Sequence, residues 1–242
     1  MQTNDQSITD KKIIPAQKLV ELEGPRPRLK EFKFAIQIFF EFIKGFRALN
    51  FVGPCITVFG SARFKEGHPY YEQARKMGQK IAELGFVTMT GGGPGIMEAA
   101  NRGAKEANGI SVGLTISLPF EATSNQYISD GLDLKFHYFF MRKFWFIYLA
   151  KALVVWPGGF GTLDAVMELL TLIQTEKIKK KLPIVLYGSD FWNNVINWDY
   201  LVDCGTISES DLDLFHISDD IDDSYDYITK YIKAYKLTGP NF

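Results

Sequence analysis

Cysteine and histidine are scarce in this chain, and neither is grouped. The two cysteines, Cys55 and Cys204, stand far apart, and His68, His137 and His216 are scattered without metal-ligand spacing. Neither a disulfide framework nor a zinc site is therefore expected, and the thiols fit a reducing cytoplasm. Cys55 opens a strand-like run and reads as a small buried apolar residue. An excess of one charge is also lacking. The formal net charge is −1, so no global field favours nucleic acid or an anionic membrane. No window of 18 apolar residues exists, so no membrane span is expected. The stretch MQTNDQSITDKK is polar and carries no signal-peptide apolar core. There is no repeat of fixed period and no low-complexity segment.

What the chain does have is 242 residues, 46% of them hydrophobic, enough for one globular domain with an appendage. Residues 1–28 are polar and contain Pro15, Pro25 and Pro27; they read as an arm, mobile or lying on a neighbour. Apolar residues at Phe32, Ile36, Phe39, Ile43, Phe46 and Leu49 predict a helix over Leu29–Leu49. Phe34, Ile38, Phe40 and Phe42 widen its apolar face, which suits burial on two sides, against the core and a second subunit. The alternative is a membrane-surface helix flanked by Lys30, Lys33, Lys44 and Arg47; packing is the preferred reading, and no membrane contact is expected. The division is thus 1–50, arm and helix, and 51–242, the main domain.

In the main domain strands alternate with helices. Strands are predicted at Ile56–Phe59, Phe86–Thr90, Ser111–Ser117, Leu132–Tyr138, Leu153–Trp156, Pro183–Tyr187 and Leu214–Ile217. Helices are predicted at Tyr70–Leu84, Ile96–Ala107, Met141–Lys151, Thr162–Lys177, Phe191–Val202 and Ile221–Tyr235, with a loop over 119–131. This order argues an α/β fold, a Rossmann-like doubly wound parallel sheet with an N-terminal helical extension. Its ligand site belongs at the carboxyl ends of the strands.

Two stretches share one plan. VTMTGGGPGIMEAA (87–100) and VVWPGGFGTLDAVME (154–168) each run strand, glycine turn, helix start, which aims free backbone N–H groups and a positive helix end at an anion. In the second, Thr162 reads as the helix N-cap. Neither stretch is a P-loop, since no Gly-Lys-Ser/Thr follows. GxGxxG does not fit 91–95, and its acidic ribose partner is missing, so an NAD fingerprint is not supported. A lone turn would need one glycine; three in a row favour phosphate or nucleotide binding. FGSAR (59–63) ends the first strand. Ser61 and Arg63 there suit a phosphate or simply a solvated helix entry. Arg142 and Lys143 at a predicted helix start oppose the helix dipole unless an anion is near; otherwise they are surface charges. The basic run Lys177–Lys181 is too short to argue nucleic acid.

GGGPGIMEAA, MRK at 141–143 and PGGFGT at 157–162, in this order and spacing, resemble the LOG-like family of cytokinin riboside 5′-monophosphate phosphoribohydrolases, formerly labelled lysine decarboxylases. The resemblance covers roughly residues 54–235. It implies a Rossmann-like fold, a homodimer, and hydrolysis of the N-glycosidic bond of a purine nucleoside 5′-monophosphate, AMP foremost, to free base and ribose 5-phosphate. It implies neither a metal nor a redox cofactor, and no pyridoxal-phosphate lysine is marked. Substrate would be held by Ser61, Gly91, Gly92, Gly93, Gly95, Met97, Lys143, Pro157, Gly158, Gly159, Gly161 and Thr162, with Arg142 as the catalytic arginine.

The family's acid is the last position of PGGxGTxxE, and here that position is Ala165. Breaking an N-ribosidic bond builds positive charge on the sugar, which a carboxylate stabilises. Glu168 lies one turn on, on the face of Ala165, and leans toward it. Asp164 is adjacent but about 100° round the helix. Glu168 is the leading stand-in, with Asp164 and Glu98 as further candidates; otherwise Glu168 is a structural carboxylate paired with Arg142 or a backbone group and the enzyme is weak, the rival class being a non-catalytic nucleotide-binding sensor or regulator that has lost the acid.

Overall fold

A computed structural model describes residues 28–116, 124–179 and 182–235. The expected N-terminal arm up to residue 27, residues 119–123 of the loop predicted over 119–131 and the end of the basic run lie outside the described residues. The chain divides into two units, residues 1–40 and 41–242, with the division inside the first helix, α1 (Arg28–Leu49).

In the first unit the described residues are the helical stretch Arg28–Phe40, where Phe39 and Phe40 meet edge to face. In the second, the end of α1 lies on a later helix. Phe46 sits 4.8 Å from Trp145, and Gly45 leaves room that a side chain would take from the Trp145 ring.

Seven strands follow: β1 (Cys55–Phe59), β2 (Val87–Thr90), β3 (Ser111–Ile116), β4 (Asp133–Phe136), β5 (Ala150–Val155), β6 (Ile184–Tyr187) and β7 (His216–Ser218). They form one all-parallel sheet in the order β4-β3-β2-β1-β5-β6-β7. The helices between them are α2 (Pro69–Glu83), α3 (Ile96–Glu106), α4 (Phe139–Tyr148), α5 (Phe160–Gln174), α6 (Ser189–Val195), α7 (Trp198–Asp203) and α8 (Ile221–Tyr235), with a 3-10 turn at Glu209–Leu214. β1, β2, β5 and β6 are buried almost throughout because both faces are covered. One apolar cluster joins Ile56, Val58, Val154 and Trp156 to Met77, Ile81, Ile96 and Ile228. The other joins Leu153, Val155 and Leu186 to Val166, Leu169 and Trp192. The fold is thus an α/β Rossmann-like sheet with an N-terminal helix, as the alternation predicts.

Some boundaries differ. α4 begins at Phe139, so Arg142 and Lys143 stand in its second turn and not at its dipole end. Ala150 and Lys151, read as helix, start β5. The helix expected over Phe191–Val202 breaks at Ile196, which is extended, and restarts with the Asn197 side chain accepting from the Tyr200 N–H. Among the described residues no helix is long and apolar enough to cross a membrane.

Candidate functional site

The strand order reverses its direction of growth between β1 and β5, and the crevice outside their carboxyl ends is where such sheets take ligands. Three loops meet there. The Ser61 N–H donates to the Pro157 carbonyl (3.0 Å), and the Ser61 carbonyl accepts from the Ile96 N–H (3.0 Å). The backbone of Ser61 therefore ties the loop after β1 to both glycine turns. Its hydroxyl oxygen accepts from the Arg63 N–H (3.1 Å), and the Arg63 side chain is exposed.

The first glycine turn needs its glycines for separate reasons. Gly92 and Gly95 have φ of 73° and 71°, the left-handed region. A side chain on Gly95 would also meet the Ser61 carbonyl. Gly95 is the N-cap of α3, with no side chain capping that end. Met97 folds back over the turn, its sulfur and methyl lying where side chains on Gly91 and Gly93 would stand.

The second turn differs from the sequence reading in one respect. The N-cap of α5 is Gly159, not Thr162. The Thr162 N–H bonds to the Gly159 carbonyl (3.0 Å), and its side chain packs on Gly158. Gly159 and Gly161 face open space. The first-turn N–H groups of Phe160 and Gly161 have no intrahelical acceptor, and no acidic residue lies in that turn. α2 and α3, by contrast, carry Glu72 and Glu98 in theirs. An uncapped, acid-free helix start suits an anion.

α4 sends one cation to each turn. It is anchored by Thr57, whose hydroxyl donates to the Phe146 carbonyl (2.9 Å), and by Phe146 packed on Phe59 at the end of β1 (4.9 Å). Arg142 lies over the rings of Phe139 and Phe146 (5.2 and 5.6 Å). Its Nη1 stands 3.6 Å from where a side chain on Gly91 would begin. Lys143 reaches α5 instead. Its Nζ lies 2.7 Å from Glu168 Oε2 and 3.1 Å from Asp164 Oδ2. Burial works against the Lys143 charge, but the bonds to Glu168 and Asp164 outweigh it and raise its pKa.

Asp164 does not point away from Glu168, as the 100° step from Ala165 suggests. The two are four residues apart, share a face, and share Lys143. Ala165 is buried beside them. Glu98 is engaged elsewhere, accepting from the Tyr71 hydroxyl (2.9 Å); Tyr71, mainly through burial, has its pKa pushed up to about 12.

A support for the first turn was missed by sequence reasoning. The Thr90 hydroxyl donates to Asn101 Oδ1 (2.6 Å) and accepts from the Gly92 N–H (3.0 Å). Asn125 donates to the Gly92 carbonyl through its backbone (2.8 Å) and to the Gly93 carbonyl through its side chain (3.0 Å). Thr90 closing a strand before glycine is a visible turn signal; Asn125 carries none. Among the described residues no group of His, Cys, Asp and Glu has the arrangement of a metal site.

Comparison with known proteins agrees with this architecture. A family model described as "Possible lysine decarboxylase" matches residues 97–228, more than half of the chain. An uncharacterized protein of Archaeoglobus fulgidus is 29% identical over 124 residues, covering 49% of this chain and 75% of that protein. The molybdenum cofactor binding protein of Rippkaea orientalis superposes with a TM-score of 0.51 at 25% identity, over 77% of this chain and 99% of that one. The molybdenum cofactor carrier protein of Chlamydomonas reinhardtii gives 0.50 at 21% identity, over 75% and 99%, a likeness of fold.

Proposed function

The chain belongs to the LOG-like family, whose model is described as "Possible lysine decarboxylase", and we propose that it hydrolyses the N-glycosidic bond of a purine nucleoside 5′-monophosphate such as AMP. The observation that carries this reading is the convergence at Ser61. Two glycine turns are joined there, each with a cation from α4 beside it or beside its helix. The phosphate is assigned to the start of α5, where open N–H groups and Lys143 supply charge. The ribose and base then extend toward Gly91 and Arg142. Water adds to the anomeric carbon as the C–N bond breaks, and the proton that the water loses ends on the departing base nitrogen. Glu168, assisted by Asp164, stabilises the cationic sugar and takes the proton of the attacking water.

Decarboxylation through a lysine Schiff base fits this site poorly. That chemistry needs a neutral amine with a lowered pKa, whereas Lys143 is held charged between two carboxylates. Two free cysteines suit a reducing cytoplasm, and the family resemblance implies a homodimer.

A second reading is favoured by Ala165 and by the pairing of both carboxylates with Lys143: a protein that binds a phosphorylated ligand without cleaving it. The relative described as a molybdenum cofactor binding protein supplies one such ligand class. Incubation with AMP separates the two. Release of adenine and ribose 5-phosphate supports hydrolysis; calorimetric binding of AMP without release supports the binder; neither event sinks AMP hydrolysis and leaves the binder to other phosphorylated ligands.

A further inference from the structure

The first turn of α4 shows two aromatic rings to solvent, Phe139 at 51% and Phe140 at 48%. Phe140 is engaged, stacked on Tyr138 at 5.5 Å. Among the described residues no aromatic ring packs on Phe139. Its neighbour is a cation: Arg142 lies over the ring at 5.2 Å. The two are three residues apart and so share one face of α4. Arg142 Nη1 stands 3.6 Å from where a side chain on Gly91 would begin, and Met97 Sδ stands 2.8 Å from the same point. An open ring thus lies beside an arginine and a thioether at the edge of the first glycine turn. It offers stacking area and no hydrogen-bonding group, which suits a flat aromatic ligand; every nucleobase has a π-face to place on such a ring.

We propose that Phe139 is the platform on which the base of the nucleotide stacks. The assignment takes the nucleotide reading of the site as its premise, and holds whether the ligand is cleaved or only bound. With the phosphate at the start of α5 beside Lys143, a ligand that passes Arg142 reaches Phe139 next. One helix then meets the nucleotide part by part: Lys143 at the phosphate, Arg142 at the sugar, Phe139 at the base. Phe160 is more exposed, at 92%, but it stands between Gly159 and Gly161 in the first turn of α5 and so belongs to the phosphate end.

Titration calorimetry with two probes tests it: ribose 5-phosphate, and formycin 5′-monophosphate, an AMP isostere whose carbon–carbon glycosidic bond does not hydrolyse. The wild type should bind the isostere roughly 10- to 100-fold more tightly than ribose 5-phosphate. Phe139→Ala should close most of that gap and leave the affinity for ribose 5-phosphate unchanged, with the circular dichroism of the wild type. Phe139→Trp should restore the gap, and Phe139→Leu, apolar but without a ring, should not. A gap that persists in Phe139→Ala overturns the platform and leaves the nucleotide reading standing. So does a wild type that binds both probes equally. Equal weakening of both probes in Phe139→Ala would make the ring a support for Arg142, and likewise overturns the platform. Binding of neither probe removes the AMP reading and the platform together.

Discussion

Lys143 Nζ lies 2.7 Å from Glu168 Oε2 and 3.1 Å from Asp164 Oδ2, so one ammonium from α4 holds both carboxylates of α5 beside the second glycine turn. The family resemblance puts the acid position at Ala165, and the proposed hydrolysis assigns its carboxylate chemistry to this pair.

Glu168→Gln keeps the shape and removes the charge. It should lower kcat for AMP hydrolysis by roughly 10²- to 10⁴-fold, the range of a positioned acid or base. Asp164→Asn should cost less, since Asp164 is the more exposed partner. Single-turnover assays with AMP check this, and unchanged turnover in Glu168→Gln would remove Glu168 from the mechanism.

Arg142→Ala should weaken AMP binding by about 10- to 100-fold, equal to about 1.4–2.7 kcal/mol. Titration calorimetry reads the loss. Arg142→Lys should recover only part of it, because an ammonium lacks the planar fork. Full affinity in the Ala variant would place the ligand elsewhere.

Gly95→Ala and Gly159→Ala should part company. At Gly95 a side chain meets the Ser61 carbonyl at φ of 71°, and the loss of stability should be about 2 kcal/mol or more. Gly159, with φ of −86° and open space around it, should accept Ala with the fold intact. There the methyl intrudes on the turn, so AMP affinity should fall while Tm stays. Urea unfolding beside calorimetry distinguishes the two, and a stable Gly95→Ala would refute the packing argument.

Glu106 receives Arg75 in two contacts of 2.6 Å and Arg102 in one of 3.0 Å. Bonding to Arg75, opposed by burial and aided by Arg102, holds its carboxyl below the usual range. A depressed folded pKa contributes stability that is present above the unfolded value and lost as pH falls through the folded one. Glu106→Gln should therefore cost about 1 kcal/mol near pH 7, and the gap to wild type should narrow below about pH 4. Denaturant unfolding across that range measures it; a constant gap would mean that packing, not charge, stabilises the group.

Much of this was open to a sequence reader because it is local. The glycine turns declare themselves since Gly92 and Gly95 occupy backbone angles other residues avoid. The helices declare themselves because a buried face repeats every three or four residues. Thr162 misled because its capping preference is also local, while Gly159 was free to cap the helix one turn earlier. Asn125 gave no signal, because its partners Gly92, Gly93 and Asn101 lie 24 to 33 residues away.

By itself the sequence determined the alternation of strands and helices, the two anion-ready turns and the apolar seam of α1. Those follow from backbone angles and from the 3.6-residue turn, properties of neighbours along the chain. Tertiary structure alone decided that β5 lies against β1, that Ser61 joins the two turns, and that Arg142 and Lys143 part to serve different helices. Each of these depends on which distant segments share the sheet's carboxyl edge. That choice is made by burial of the whole core, and no window of residues contains it.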